Sequence, residues 1–198
     1  MKKLFTVFFT FSLCIFFFSC RTLMPAPAGK NISRSITGVP AMNAKQLYEY
    51  FMSRNPLADK AEVKRLSNYY VEEARAEGIN SDIAFAQMCV ETGFLRFGNL
   101  VTPEMHNYCG LGAIDSEHRG EVFANERLGV RAHIQHLHAY ATTSESLLNR
   151  PLIDNRYKWV KPRGKAPTIF ELAGTWAADK NYGAKLDAML CRMEQFIR

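Results

Sequence analysis

Glu91 closes a stretch that is otherwise hostile to charge. Ile83, Ala84, Phe85, Ala86, Met88, Cys89 and Val90 lead up to it, with Gln87 as the one polar interruption. A helix written this way is apolar on nearly every side, which is the pattern of a buried helix. A carboxylate in its last turn meets two penalties. Apolar surroundings disfavour its ionised form, and the C-terminal end of a helix dipole is negative, where a cation would be preferred. Both raise its pKa. A carboxylic acid still protonated near neutral pH can protonate the leaving oxygen of a glycosidic bond. For a bare Glu91-Thr92-Gly93 a surface glutamate at a frayed helix end is the commoner reading, so the rest of the chain must decide. Downstream stands Asn107-Tyr108-Cys109-Gly110-Leu111-Gly112. An Asn before an aromatic residue and a Gly suits a tight backbone turn against which a sugar could lie.

With Trp176-Ala177-Ala178-Asp179-Lys180-Asn181-Tyr182 near the end of the chain, these motifs resemble the glucosaminidase branch of the lysozyme-like superfamily. Members carry a buried helix ending in Glu-Thr-Gly, an Asn-aromatic-x-Gly turn, and an aromatic-Ala-x-Asp segment before a Tyr that begins the last helix. The resemblance runs from about Ser33 to the C-terminus. It implies a mainly α, lysozyme-like α+β fold with a small β-hairpin or irregular lobe beside the catalytic cleft. Glu91 would be the general acid and Tyr182 a second catalytic residue near it. Asn107, Tyr108, Gly110, Trp176 and Asp179 would bind substrate. Cys109 stands where the family usually has an aromatic or small residue. The implied reaction is cleavage of the β-1,4 bond after N-acetylglucosamine in peptidoglycan glycan strands, by a monomer without cofactor or metal. A lytic transglycosylase using the same acid, and a non-catalytic wall-binding lipoprotein, are the alternatives.

The acid needs help to complete hydrolysis. In the family the lobe beside the cleft, here residues 113–122, often supplies a second carboxylate, and Asp115, Glu117 and Glu121 are the candidates. The other solution is the substrate's own 2-acetamido group attacking its anomeric carbon, oriented by Tyr182 or Asp179. Substrate assistance is the favoured reading, because the Tyr182 motif is specific and no spacing rule selects one lobe carboxylate.

Several helices must position these groups. Asn43 and Gln46 read as a capping box for a helix to about Arg54 that buries Leu47, Tyr50 and Phe51. A second runs from about Asp59 to Ala76, with Val63, Leu66, Tyr70, Val71 and Ala74 inward and Gly78 as its stop. Asn80 or Ser81 caps the helix of Glu91. Gly129 to Thr142 reads as a helix through Val130, Ile134 and Leu137. Leu152 to Pro167 is a loop holding Asp154, Arg156, Trp159 and Pro162. Thr168 and Glu171 look like a capping box for a short helix, and a last helix follows Tyr182 with Leu186, Leu190, Met193 and Ile197 buried.

The flanks set the setting. The chain has 198 residues, 47% hydrophobic and 22% charged, enough for one domain with a real core. Its net charge of +6 suits an anionic wall polymer or membrane surface. No basic helix or aromatic-basic alternation suggests nucleic acid. Lys2 and Lys3 precede an apolar run from Leu4 to Phe18 that is short for a bilayer span. Its Ser19-Cys20 end resembles a bacterial lipoprotein cleavage site, which implies a signal peptide at 1–19, lipidation of Cys20 and export to a membrane face. Residues 20–42 then read as a lipidated tether with Pro25, Pro27, Gly29, Gly38 and Pro40, and the domain as 43–198. Cys89, Cys109 and Cys191 read as buried free thiols, although a Cys89–Cys109 bond is open. His133, His136 and His138 lack the acidic or Cys companions of a metal spacing.

Overall fold

The computed structural model describes residues 31–197. The expected signal peptide, Cys20 and the first part of the tether lie outside the described residues. The described residues fold as a mainly helical, lysozyme-like domain of five α-helices: α1 Ala44–Arg54, α2 Lys60–Glu77, α3 Ser81–Glu91, α4 Glu126–Ala141 and α5 Tyr182–Met193.

Local chemistry starts and stops these helices. Asn43 and Gln46 close a reciprocal box on α1, with N···O distances of 3.0 and 2.9 Å. Asp59 caps α2, its Oδ1 accepting the Ala61 N–H at 2.8 Å, and Gly78 ends it in the left-handed region at φ +67°. Asn80 accepts the Asp82 N–H at 3.0 Å to open α3. The first nine residues of α3 are all buried, as a run apolar on every side requires.

α4 begins three residues earlier than the sequence suggested. Asn125 is its cap, accepting the Leu128 N–H at 3.1 Å. Gly129 is therefore inside the helix, where a Cβ would stand 1.8 Å from the His106 carbonyl oxygen. The glycine serves a close backbone approach and is not a boundary.

Packing follows the apolar faces. α2 lies against α1 and α4, and α3 against α2 and α5. The rings of Phe51 and Tyr70 meet Phe85 of α3 edge-on, with centroids 6.2 and 5.6 Å apart. Buried Glu73 of α2 is held by Arg127 at 2.7 Å and Arg131 at 2.8 Å, which ties α2 to α4 with its charge paired.

Four expectations need correction. The stretch read as the end of a tether is part of the domain: Ile32, Ile36 and Met42 are buried. Arg34 pairs with Asp187 of α5 at 2.7 Å, Ile36 N–H donates to Pro167 O, and Ile169 N–H donates to Arg34 O. Its Gly and Pro content concealed a segment whose partners, Asp82 among them and Pro167, Ile169 and Asp187 beyond, lie forty or more residues away.

Half of the Thr168–Glu171 box forms: Glu171 Oε2 accepts the Thr168 N–H at 3.0 Å, but the Thr168 oxygen accepts the Phe170 N–H at 3.3 Å in place of that of Glu171, and no helix follows. Leu172 O collects the N–H groups of Thr175, Trp176 and Ala177, and Gly174 at φ +76° donates to Ala177 O at 2.7 Å. The chain therefore knots into a loop that presents Trp176. The last α-helix stops at Met193 and gives way to a 3-10 turn, Glu194–Phe196, leaving Ile197 half-buried. Cys191 is exposed, while Cys89 and Cys109 are buried free thiols.

The lobe at 113–122 is irregular. One antiparallel bridge joins Ala113 to Arg119, and Asp115 Oδ1 folds the tip by accepting the N–H groups of Glu117 and His118 at 2.9 and 2.8 Å.

Candidate active site

Thr92 and Gly93 explain why α3 ends at Glu91. Met88 O accepts both the N–H of Thr92, at 3.0 Å, and its hydroxyl, at 2.8 Å. The Thr92 oxygen in turn accepts the Leu95 N–H at 2.9 Å. Gly93, Phe94 and Leu95 all take left-handed φ values, +57°, +59° and +58°. That costs nothing at Gly93 but is strained at the other two. Neighbours hold the turn: the Phe94 ring packs on Phe51, with centroids 5.5 Å apart, and Asn55 donates to Phe94 O at 2.9 Å. The chain turns away at once, and the Glu91 side chain is left at the lip of a cavity.

The two oxygens of Glu91 have different surroundings. Oε1 accepts the Tyr182 hydroxyl and, at 3.3 Å, the Trp176 indole N–H. Oε2 lies on the side of Gly110, where a Cβ would approach it to 4.0 Å. Burial pushes the Glu91 carboxyl above the usual range, and the donors Tyr182 and Trp176 pull it only part of the way back. With Oε1 taken by two donors, the proton of the acid form belongs on Oε2, the oxygen facing the Gly110 turn.

Behind Tyr182 runs a chain of hydrogen bonds with one direction. The Gln87 amide N–H donates to the Tyr182 oxygen at 3.0 Å. Its Oε1 is then the acceptor for His133 Nε2–H at 3.1 Å, and His133 Nδ1 accepts the Tyr70 hydroxyl at 2.9 Å. Burial, aided by the nearby His136, pushes the His133 imidazole down to about 3, so it stays neutral and can hold that tautomer. Every donor from Tyr70 onward points toward Glu91.

The cavity has a volume of about 450 Å³, and its wall includes Glu91, Gly110, His136, Tyr140, Arg156 and Trp176. Among the described residues Glu91 is the only carboxylate on that wall. The Trp176 ring is caged by His136, Tyr140 and His133, with centroids 5.1, 5.3 and 5.7 Å away. His136 Nδ1 meets Oδ2 of the fully buried Asp154 at 2.7 Å, and Asp154 Oδ1 accepts the Arg156 N–H at 2.8 Å.

The residues singled out by sequence are distributed unevenly around this cavity. Glu91, Gly110, Trp176 and Asn107 reach its wall. The Asn107 side chain is occupied by backbone: its amide donates to Leu111 O and Glu121 O, and its oxygen accepts the Leu111 N–H. It shapes the turn that carries Gly110. Tyr108 points into the core, 1% exposed, with its hydroxyl unpartnered among the described residues. Tyr182 is buried behind Glu91. Asp179 pairs with Lys185 at 2.6 Å and accepts the Asn181 N–H at the start of α5, off the cavity wall. Asp115 and Glu117 are exposed at the tip of the lobe. Glu121 packs beside Gly112 and accepts from Asn155 at 3.4 Å, and is not on the wall.

Sequence reasoning passed over Gln87, His136, Tyr140, Asp154 and Arg156. A signal existed for some of them. Gln87 is the sole polar residue of its run and lies one turn before Glu91. His133, His136 and Tyr140 recur at i, i+3 and i+7, one face of α4. That face turns inward, toward Trp176 and Glu91. Asp154 and Arg156 carried no such signal.

A family model described as Mannosyl-glycoprotein endo-beta-N-acetylglucosaminidase, the Glucosaminidase family, matches residues 67–195. A protein of Borreliella burgdorferi that bears only the description "Uncharacterized protein" is 41% identical over 152 residues, which are 77% of this chain and 73% of the relative.

Proposed function

This chain belongs to the glucosaminidase family, and from that premise we propose that it is a peptidoglycan hydrolase cleaving the β-1,4 bond after N-acetylglucosamine, with Glu91 as general acid. The observation that carries the proposal is the division of labour within one carboxyl group. Oε1 is pinned by Tyr182 and Trp176, while Oε2 faces the Gly110 turn and the cavity. The raised pKa keeps a proton available at Oε2 for a leaving oxygen. Trp176 offers an aromatic face in the same cavity, and Gly110 lets the opposite backbone come close.

One carboxylate on the wall favours substrate assistance over a second-carboxylate mechanism. The acetamido carbonyl of the bound glucosamine unit attacks its own anomeric carbon as Glu91 protonates the departing oxygen. A single carboxylate also fits the lytic transglycosylase reading, in which the product carries an anhydromuramic end. Mass analysis of digested peptidoglycan separates the readings. Reducing N-acetylglucosamine ends are expected. Anhydromuramic ends would move the assignment to the transglycosylase, and an intact polymer would leave a wall-binding protein. Glu91→Gln keeps the shape without the transferable proton, and its rate should fall by on the order of 10²–10⁴. A folded Glu91→Gln variant that cuts at the normal rate would remove the acid assignment.

The same proposal includes export, with Cys20 lipidated and the domain working as a monomer near a membrane surface. The charged start, the apolar run and the Ser19-Cys20 junction support this. Cys20→Ala should leave the protein released or unprocessed. A variant with wild-type mass and membrane fractionation would refute the anchor.

A further inference from the structure

The cavity holds a second built group that the acid mechanism leaves unused. His136 projects from α4 onto the wall, with Nδ1 on the buried Asp154 carboxylate at 2.7 Å and its side chain 12% exposed. Its Nε2 has no protein partner among the described residues. The groups that face the imidazole are Asp154, Trp176, Tyr140, Arg156 on the same wall, the neutral His133, and Glu91 across the indole. Trp176 stands between the two functional ends: its N–H bonds Glu91 at 3.3 Å, and its ring centroid is 5.1 Å from that of His136. The acid and the imidazole thus border one cavity on either side of an indole.

We propose that His136 is a further catalytic residue, the acceptor for the N–H of the substrate's 2-acetamido group, and that Asp154 is its positioning residue. This rests on the substrate-assisted reading above. With Nδ1–H donated to Asp154, Nε2 presents its lone pair to the cavity. The acetamido oxygen forms a bond to C1 while the bond from C1 to the leaving oxygen breaks. The Glu91 proton goes to that oxygen, and the acetamido N–H proton passes to His136 Nε2. The product is a neutral oxazoline beside an imidazolium paired with Asp154, the charge arrangement that a buried carboxylate stabilises behind a histidine base. Water then attacks C1, Glu91 takes one of its protons, the oxazoline C1–O bond breaks, and His136 returns its proton to nitrogen. Atoms and charges balance over the two steps, and both residues end as they began.

Tyr182, the residue expected from sequence to orient the acetamido group, is buried with its hydroxyl between Gln87 and Glu91. His136 occupies the wall where that role can be performed. Asp154 also fixes the backbone of Arg156, so one buried carboxylate sets two wall residues in place.

The test uses the full chain and two variants, His136→Ala and Asp154→Asn, each checked for a wild-type circular dichroism spectrum and melting curve. Turnover on purified glycan strands should fall by about 10²-fold in both, with KM changed less than about threefold. Binding of N-acetylglucosamine-thiazoline, a neutral analogue of the oxazoline, is measured by calorimetry. It should weaken at least about tenfold in His136→Ala, since the bond that the Nε2–H of the Asp154-paired imidazolium donates to the ring nitrogen, as in the oxazoline state, is lost. In Asp154→Asn it should persist, because the amide donates to Nδ1 and leaves Nε2–H facing that nitrogen. A merely structural role would not separate turnover from thiazoline binding in this way. A folded His136→Ala variant within about threefold of normal turnover, or with unchanged thiazoline binding, overturns the inference while leaving the Glu91 assignment intact. A wild type that cuts glycan but does not bind the thiazoline overturns substrate assistance and this inference together. A wild type that cuts nothing removes the hydrolase reading beneath them.

Discussion

Tyr182 and Glu91 are 91 residues apart in the chain and share one hydrogen bond, with the phenol donating to Oε1. Tyr182 is the first residue of α5 and Glu91 the last of α3, so the bond joins the start of one helix to the end of another. Burial of the phenol raises its own pKa well above the usual range, so it remains a donor at any working pH. It thereby stabilises the carboxylate form of Glu91 against the desolvation that opposes it.

Removing that donor has a definite sign. Tyr182→Phe deletes a contact that lowers the Glu91 pKa, so the Glu91 pKa should rise further. Since the acid is active while protonated, the alkaline limb of kcat/KM should move to higher pH. Turnover should also drop by about tenfold or more, because Oε1 is no longer pinned and the acid loses its orientation. Gln87→Leu should move the limb in the same direction by less. A Tyr182→Phe enzyme with an unmoved limb and normal turnover would show that the phenol is only packing.

The lobe carboxylates should be dispensable for chemistry. Asp115 spends its Oδ1 on the Glu117 and His118 N–H groups, and neither it nor Glu117 nor Glu121 lines the cavity. Asp115→Asn, Glu117→Gln and Glu121→Gln should each retain activity within about threefold of wild type, the range expected of a group that takes no part in proton transfer. If one of them were as inactive as Glu91→Gln while remaining folded, the second-carboxylate mechanism would replace substrate assistance.

A separate prediction concerns stability. Asp82, in the first turn of α3, is buried and accepts the Ala41 and Met42 N–H groups at 2.7 and 3.3 Å. Burial outweighs these donors and raises its carboxyl from 3.8 to about 6. A carboxyl with a raised folded pKa contributes stability that is complete below its unfolded value and lost as pH rises through its folded value. The stability of wild type relative to Asp82→Asn should therefore decline between about pH 4 and 6, by on the order of 2–3 kcal/mol. Urea unfolding of both proteins from pH 4 to 8 measures it. A difference that does not change with pH would refute the assignment.

The parts of this protein legible in its residue order were those settled by near neighbours. Asn43 with Gln46, Asp59 with Gly78, and Asn80 before an unbroken apolar run mark helix ends within a few residues of where they form. A capping hydrogen bond or a left-handed stop is a contact between residues two to four apart, so its signal is local. Glu91 stood out for the same reason: seven apolar residues and a stop surround it in sequence. The Thr168–Glu171 box shows the limit of such signals. The local hydrogen bond formed, and the helix did not.

What folding added was direction and distance. Whether Tyr108 or Tyr182 faces the cleft cannot follow from an aromatic beside a glycine. It depends on which helix is packed behind it, and both hydroxyls turn inward, Tyr182 to the acid and Tyr108 into the core. The Ile32–Met42 segment joined the domain because Pro167, Ile169 and Asp187 came to meet it. His136 read as one of three histidines on a helix until Asp154, eighteen residues later, arrived beneath it. A contact across such separations is bought with loop closure and burial. Those terms belong to the whole packed chain and to no window of it, which is why Glu91 stood out in the sequence and its surroundings did not.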